Sequence, residues 1–358
     1  MTFQIGLLHE LRRQLDVCRA CHYCDGYCDV FPALKDLPTA SDGDIVQLAN
    51  LCHNCRGCFY SCQYASPHVF AVNLPAILAE ARTDSWNELV WPAGSVRLFQ
   101  MRGSAVALVL AGSVAMILVL IRAFVPSGGE GVYRYMPHAL MVAIFAPAFL
   151  GPLMVVLLAT RRYFRAVGAD TMRVRHFAVA LLWAARLDNL SGGQGQGCNF
   201  EDAGRFSGRR RFLHQMAVSG FALCFCATVA GTILHYGFGQ TAPYGPTSLP
   251  KLLGITGGVL LSIGAGGLAQ LKHHGDRRLG DARVWNGEMA FVLLLFLIAA
   301  SGLALWGGAA TVLAVWLLTL HLGAVLTFFV LMAYSKMIHG AFRFAALAVD
   351  AQRRSASA

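Results

Sequence analysis

The chain has 358 residues, of which 56% are hydrophobic and only 13% are charged, and its net charge at pH 7 is +10. Soluble domains carry about 25% charged residues, so this composition excludes an ordinary soluble protein. The eleven cysteines would suggest disulfides in a secreted protein. Residues 1–91 show no signal peptide, however, and we expect them to stay in the reducing cytosol, where dense cysteines indicate metal or redox chemistry.

Two runs of cysteines share the spacing Cys-x₂-Cys-x₂-Cys-x₃-Cys. The first contains Cys18, Cys21, Cys24 and Cys28, and the second contains Cys52, Cys55, Cys58 and Cys62. Bacterial ferredoxins use this spacing to bind two [4Fe–4S] clusters, and the fourth cysteine of each run ligates the other cluster. The sequence therefore predicts one cluster on Cys18, Cys21, Cys24 and Cys62, and another on Cys52, Cys55, Cys58 and Cys28.

Other interpretations of the cysteine runs fit less well. Zinc sites usually separate their Cys-x₂-Cys pairs by longer gaps. His22 completes a formal c-type haem attachment motif, but the first run continues beyond it and the second run has no equivalent histidine. Asp29 and Gln63 replace the proline that follows the fourth cysteine in ferredoxins, which changes the turn but not the number of ligands. A structural or sensor role for the clusters stays open, and Cys198 has no predicted partner.

Trp86 and Trp91 precede the first long apolar segment, where they are either interfacial anchors or ordinary packing residues. Six apolar segments follow, each with 18 or more residues and without Asp, Glu, Lys or Arg. A helix needs about 20 apolar residues to cross a bilayer core. The six predicted spans are Ser104–Ile121, Met136–Ala159, Phe212–Gly239, Leu252–Leu271, Met289–Ala309 and Ala310–Ser335.

The basic residues are distributed unequally between the two sides of these spans. Of the 29 Lys and Arg residues, 26 lie on the side of the cysteine runs and 3 lie in the loops on the other side. By the positive-inside rule, both termini and the cysteine runs are predicted to be cytosolic, in a multi-pass protein of the cytoplasmic (inner) membrane. The charge is therefore not interpreted as a nucleic-acid surface.

The long loop at residues 160–211 contains two notable segments. Arg173–Leu190 combines basic residues with an apolar stripe, which predicts a helix along the membrane surface. Gly192–Gly197 lacks the spacing and the preceding strand of a dinucleotide-binding loop, so we interpret it as a flexible connector.

Four histidines in the third and sixth spans are candidates for haem ligands. His214 and His339 are predicted at the cytosolic level, and His235 and His321 are predicted deeper in the membrane. In one continuous helix, His321 and His339 would share a face, five turns or roughly 27 Å apart. Histidines from facing helices can hold a b-type haem through both axial positions, so we expect one haem, with a second possible.

Other residues near these histidines are interpreted as structural and not as ligands. Glycines in the same spans would let a flat macrocycle approach the backbone; they are Gly220, Gly231 and Gly323. The remaining histidines considered near the spans are interpreted as interface residues; they are His138, His176, His273 and His274. Cys224 and Cys226 are interpreted as packing residues.

The chain resembles the tricarballylate-utilization protein B family, also called the citrate-utilization protein B family. The resemblance covers nearly the whole chain and is most specific in the cysteine runs, in Arg209–Tyr236 and in Leu320–Arg343. The last stretch is also similar to a ligand-bearing helix of the haem subunit of membrane nitrate reductases.

The resemblance implies a function. Members of the family reoxidise the reduced FAD of a partner dehydrogenase that acts on tricarballylate or a related tricarboxylate. They pass electrons through two [4Fe–4S] clusters and haem b to membrane acceptors, with quinone expected. The chain shows no flavin-binding fingerprint, so the flavin is expected on another, cytosolic polypeptide.

The sequence thus predicts a mainly α protein in three parts. Residues 1–95 form a cytosolic ferredoxin-like domain with two clusters, 96–345 form a six-helix transmembrane haem b domain, and 346–358 form a cytosolic tail. It predicts an electron-transfer subunit without a catalytic residue of its own. Two alternatives remain: a membrane transporter gated by a redox-sensing domain, and a subunit of a quinone-linked disulfide reductase.

Overall fold

The computed structural model describes residues 5–35, 37, 39–123, 131–169, 172–190, 197–199 and 205–357. These residues form fourteen α-helices and no strand, with one isolated antiparallel bridge between Cys198 and Ser207. The helices are α1 Ile5–Cys21, α2 Val30–Lys35, α3 Asp42–Leu51, α4 Gly57–Tyr60, α5 Leu74–Leu89, α6 Ser95–Met101, α7 Gly103–Ala123, α8 His138–Ala166, α9 Val174–Arg186, α10 Arg209–Phe238, α11 Leu249–His274, α12 Trp285–Gly308, α13 Ala314–Leu331 and α14 Ile338–Ser357.

Six of the helices are long and apolar enough to cross a membrane, which confirms the six predicted segments and a multi-pass membrane protein. They are α7, α8, α10, α11, α12 and α13, and the fifth membrane-crossing stretch begins slightly earlier, at Ala282. Much of their surface is apolar and exposed outside the bundle, as for Leu108, Leu150 and Phe225. This surface is suited to lipid, because the hydrocarbon core of a bilayer solvates apolar side chains.

The N-terminal region packs as a small helical domain around α3 and α5. Ser41 and Asp44 form a capping box that starts α3, and Ile45 and Leu48 of that helix are fully buried. Trp86 of α5 is 1% exposed and donates from Nε1 to Oδ1 of Asn50 at 2.8 Å. Trp86 is therefore a packing residue, whereas Trp91 is 61% exposed.

The last helix, α14, belongs to the core of this region and does not form a loose tail. Its inner face is buried by contacts with α3, α8 and α9, and Phe342 stacks on Trp86 with ring centroids 6.1 Å apart. Val349 and Ala351 are buried as well, so residues beyond 345 continue the helix as part of the packed structure. Helix α9, which was predicted along the membrane surface, packs against α14, where Phe177 stacks on Phe344.

The prediction of one continuous helix through His321 and His339 is wrong. Helix α13 ends at Leu331, and residues 332–337 form tight turns with hydrogen bonds of the i→i−3 type, such as Tyr334 to Leu331 and Ile338 to Ser335. Contacts from other elements hold this linker, because Gln100 donates to the Ser335 carbonyl and Glu288 binds Lys336. His339 therefore lies on α14, and the five-turn register does not apply.

Helices α10 and α11 pack closely because glycines line their interface. A Cβ atom at Gly220 would overlap backbone atoms of Leu261 and Gly257, and one at Gly264 would lie 2.5 Å from the nitrogen of Ala217. Gly323 of α13 is similarly close to Val114 of α7. The expectation that Gly220 and Gly323 provide space for a macrocycle is therefore wrong, since both admit a neighbouring helix.

A partly buried ionic group joins α11, α12 and the linker after α13. Glu288 in the first turn of α12 pairs with Lys272 at 2.5 Å and also with Lys336. The Lys336 ammonium lies 5.2 Å from the centre of the Trp86 ring. Burial lowers the pKa of Lys336 to about 8, while Glu288 acts in the opposite direction. The group thus holds the membrane helices against the N-terminal domain.

We expect Gly264→Ala to destabilise the bundle by about 1–3 kcal/mol, because the new methyl group would push α10 away from α11. Gly254→Ala on the same helix is the matched control, since its Cβ would meet only the Ala227 methyl group, at 3.7 Å. Thermal unfolding in detergent measures both variants. Equal midpoints would show that the two helices do not depend on this close approach.

Glu288→Gln should destabilise the protein by about 1–3 kcal/mol, because it leaves two partly buried lysines without a counter-charge. The control is Asp16→Asn, which removes a more exposed ion pair with Arg19 and should cost less than about 1 kcal/mol. Chemical denaturation in detergent compares them. A similar small loss in both variants would contradict a structural role for the Glu288 group.

Candidate iron–sulfur and haem sites

Irregular backbone at the ends of helices positions the two cysteine runs. The first run begins in the last turns of α1 and continues through turns to the start of α2, and the second run follows the end of α3 and includes α4. His22, Asn54 and Arg56 have positive φ angles of 55°, 52° and 69°. This left-handed backbone bends each loop tightly.

Four cysteines line one small cavity. Three belong to the second run, and the fourth comes from the first; they are Cys52, Cys55, Cys58 and Cys28. This is the set that the crossed ligation pattern predicts, although the ligand assignment itself stays a prediction. Burial raises the pKa of Cys55 to about 11, and that of Cys58 is also raised, first by burial and then by Cys55 and Cys28.

The other four cysteines form a second group, closer to the surface. The pKa of Cys18 is raised to about 12, first by burial and then by the charges of Cys62, Cys24 and Cys21. Burial and Cys62 raise the pKa of Cys24 to about 12 as well. Gln63 approaches the sulfur of Cys21, 3.8 Å away, so the loop after the second run contacts the loop of the first.

The thiols are not arranged around a single ion in the described residues, and their binding of clusters stays a prediction. In the described part of the chain, no three Cys, His, Asp or Glu side chains converge closely enough to hold one metal ion. A cubane cluster is larger than one ion and takes four thiolates spread around it. The raised thiol pKa values mean that ionisation requires a compensating cation, and metal binding supplies one while it releases the protons.

Sequence reasoning missed several residues that close the second site. Cys198 is 1% exposed and packs with Cys55 and Leu190, and its thiol approaches the Leu190 carbonyl at 3.5 Å. The backbone nitrogen of Asn199 donates to the Cys55 carbonyl at 2.9 Å. Asn189 lines the cavity. No spacing motif links these residues to the cysteine runs, and residues 192–196 of the expected connector lie outside the described residues.

Three guanidinium groups surround the Cys52–Asn54 backbone. Arg82 of α5 and Arg343 of α14 both donate to the Cys52 carbonyl, at 2.7 and 2.8 Å. Arg210 of α10 donates to the Asn54 carbonyl at 2.7 Å. Between Cys52 and Asn54, His53 is buried and donates from Nδ1 to the Leu51 carbonyl at 2.7 Å. The second cysteine loop is thus attached to helices of both regions.

His214 and His339 meet at the same end of the bundle. Their ring centroids are 6.2 Å apart and the ring planes are inclined at 87°. Imidazole nitrogens bind metal ions at about 2 Å, so an ion between two rings separates their centroids by about 6 Å. The separation of the two rings matches that of two imidazoles with an ion between them, and their assignment as haem ligands stays a prediction.

The ring of His339 makes a hydrogen bond of the kind that metal-bound histidines make. His339 donates from Nδ1 to the Lys336 carbonyl at 2.5 Å, which leaves Nε2 as a neutral nitrogen available to a metal. Burial, followed by the charge of Lys336, lowers the pKa of His339 well below its usual value. The Nδ1 atom of His214 is buried and has no hydrogen-bond partner in the described structure.

The other candidate ligands, His235 and His321, make separate contacts. His235 stacks on His138 with centroids 4.1 Å apart, which is too close for an axially bound ion between the rings. His138 hydrogen-bonds to the Tyr236 hydroxyl at 2.9 Å. His321 lies against α12, where its Nδ1 atom is 3.2 Å from both Ser301 Oγ and the Ile298 carbonyl. The ring that stacks on His235 is therefore that of His138, which the sequence predicted only as an interface residue. Sequence reasoning missed this contact between the two histidines.

Comparison with known proteins gives a consistent assignment. Residues 97–358 match the family described as citrate utilization protein B, and residues 11–88 match the citrate utilization protein B Fer4-like domain. Citrate utilization protein B of Escherichia coli is 38% identical over 344 residues, which cover 94% of this chain and 90% of that protein. No solved structure matches the chain significantly. With both of its regions matched, the chain belongs to the citrate utilization protein B family.

Proposed function

We propose that the protein carries electrons from a reduced flavoprotein dehydrogenase, through two [4Fe–4S] clusters and haem b, to quinone in the membrane. The observation that supports this most directly is the cavity that contains cysteines of both runs. Such a pocket binds a cluster whose chemistry is the transfer of one electron at a time. The crossed arrangement also links the two sites. Cys28 belongs to the first loop and would bind the cluster of the second, and Cys62 belongs to the second loop and would bind the cluster of the first.

The position of the second site supports transfer into the membrane region. His53 lies next to Cys52 in the chain. The pKa of His53 is lowered first by burial, then by the charge of Arg343 and, to a smaller extent, by that of His214. Arg343 lies four residues after His339 on α14 and so occupies the same face of that helix. Residues of the second cysteine loop and residues of the haem pair are therefore neighbours.

Electrons enter, in this proposal, at the cysteine group that is closer to solvent. The loops around Cys24 and Cys62 carry exposed side chains, including Tyr23 and Phe70. A flavoprotein can approach there, and its flavin releases two electrons that the two clusters accept singly. By family resemblance, the dehydrogenase contains FAD and acts on tricarballylate or a related tricarboxylate.

The distribution of basic residues supports the orientation. The side of the cysteine loops carries 26 of the 29 Lys and Arg residues, so we assign this side to the cytoplasm of a cell with the protein in its inner membrane. Quinone reaches the protein from the lipid, and two electrons and two protons convert it to quinol.

The first test is the metal content of anaerobically purified protein. We expect about eight non-haem irons and eight sulfides per chain. Haem b is measured separately, with at least one expected per chain. Reduced protein should also reoxidise when a soluble quinone is added, followed by haem absorbance. Zinc in place of iron, or clusters that no quinone reoxidises, would refute the proposal.

The second test asks whether His214 and His339 bind haem. We expect His339→Ala and His214→Ala each to abolish the haem absorbance assigned to this pair while the iron–sulfur content stays unchanged. His274→Ala is the control, because His274 is exposed and bonds only to the Gln270 carbonyl of its own helix in the described structure. Full haem content with a normal spectrum in both variants would show that these residues are not ligands.

A further inference from the structure

Two cationic side chains meet at the second cysteine site. The Nη1 atom of Arg82 and the Nη2 atom of Arg343 both donate to one acceptor, the carbonyl oxygen of Cys52. Arg82 also donates to the Ala49 carbonyl at 3.3 Å and is 6% exposed. The Nε atom of Arg343 is buried and has no hydrogen-bond partner in the described structure.

The charges of these two guanidiniums are not balanced by an ion pair. Within the described residues, neither pairs with Asp or Glu, and each is bonded only to neutral carbonyl oxygens. Two like charges that converge in a buried place are costly unless a negative group offsets them. An anionic group next to the Cys52 carbonyl would offset these two charges.

Such a group would occupy the cavity that Cys52 lines together with Cys28, Cys55 and Cys58; the two guanidiniums reach this site through the Cys52 carbonyl and do not line the cavity. Four thiolates around an iron–sulfur core carry more negative charge than the core carries positive charge, and reduction adds one more negative charge. Cationic groups nearby stabilise the reduced form and so raise the reduction potential, since net local charge is one determinant of this potential. The charges near the first group differ, because they form exposed pairs such as Arg19 with Asp16 and His22 with Asp25.

We propose that Arg82 and Arg343 raise the reduction potential of the cluster at Cys28, Cys52, Cys55 and Cys58 above that of the other cluster. This inference rests on the proposed function and adds a direction to it. One electron leaves the reduced cluster at the Cys18 group and reduces the oxidised cluster at the Cys52 group, with no bond or proton exchanged. Arg343 shares a face of α14 with His339, so the higher-potential cluster is the one next to the haem pair.

The test is a redox titration of the purified, full-length protein, followed by the electron paramagnetic resonance signals of its clusters. We expect Arg343→Gln and Arg82→Gln each to shift one of the two midpoint potentials to more negative values and to leave the other unchanged. The shifted signal should be the one that Cys55→Ser removes or alters. Arg343→Lys, which keeps the charge, should restore most of the wild-type midpoint.

Arg353→Gln is the matched control on the same helix, since it removes a positive charge that pairs with Asp44, 3.1 Å away, and not one that the structure shows bonded to the Cys52 carbonyl. Both midpoints should stay unchanged in this variant. Unchanged midpoints in Arg343→Gln and Arg82→Gln, at full iron content, would overturn the inference and leave the proposed function intact. If neither variant assembles clusters, the titration of the wild-type protein tests the inference. Equal midpoint potentials of its two clusters would contradict it.

Discussion

The crowding of eight cysteine thiols into one small helical domain is the constraint on which this structure depends. Burial and mutual repulsion raise the pKa values of Cys18, Cys24 and Cys55, so the free thiols are stable there only in the protonated state. A cationic core that binds four thiolates neutralises their charges and so removes this repulsion, and its bonds to the four sulfurs hold the loops together. Because Cys28 and Cys62 lie near the opposite group, the same bonds would tie the first loop to the second and stabilise the domain.

The C-terminal helix connects this domain to the membrane bundle. Helix α14 buries Phe342 against Trp86 of the domain, and its Arg343 reaches the Cys52 carbonyl. The first turn of the same helix carries His339, whose ring lies against that of His214 of α10. One element therefore brings together the candidate cluster site, the candidate haem pair and the hydrophobic core. This arrangement suits electron transfer, since the transfer needs cofactors held at fixed short separations by a rigid scaffold.

Several expectations from the sequence differ from the structure for a common reason. No glycine or proline marks residues 332–337, yet the helix ends there, because Gln100 and Glu288 from distant elements bind the Ser335 carbonyl and Lys336. Gly220 and Gly323 lie against neighbouring helices. His138 and His235 belong to different helices and meet only when the bundle is packed. Each of these features depends on contacts between residues that are far apart in the chain, which a periodicity cannot encode.

The sequence by itself determined the family, the helical architecture with its six apolar spans, and the eight cysteines as candidate ligands. Hydrophobic length and ligand spacing are local properties, so they can be read along the chain. The tertiary structure decided which side chains meet. It placed Cys28 beside Cys52, brought Cys198 against Cys55, and brought His214 of α10 against His339 of α14. Only the packing of helices against one another specifies such neighbours, because each contact depends on the relative position of two or more elements.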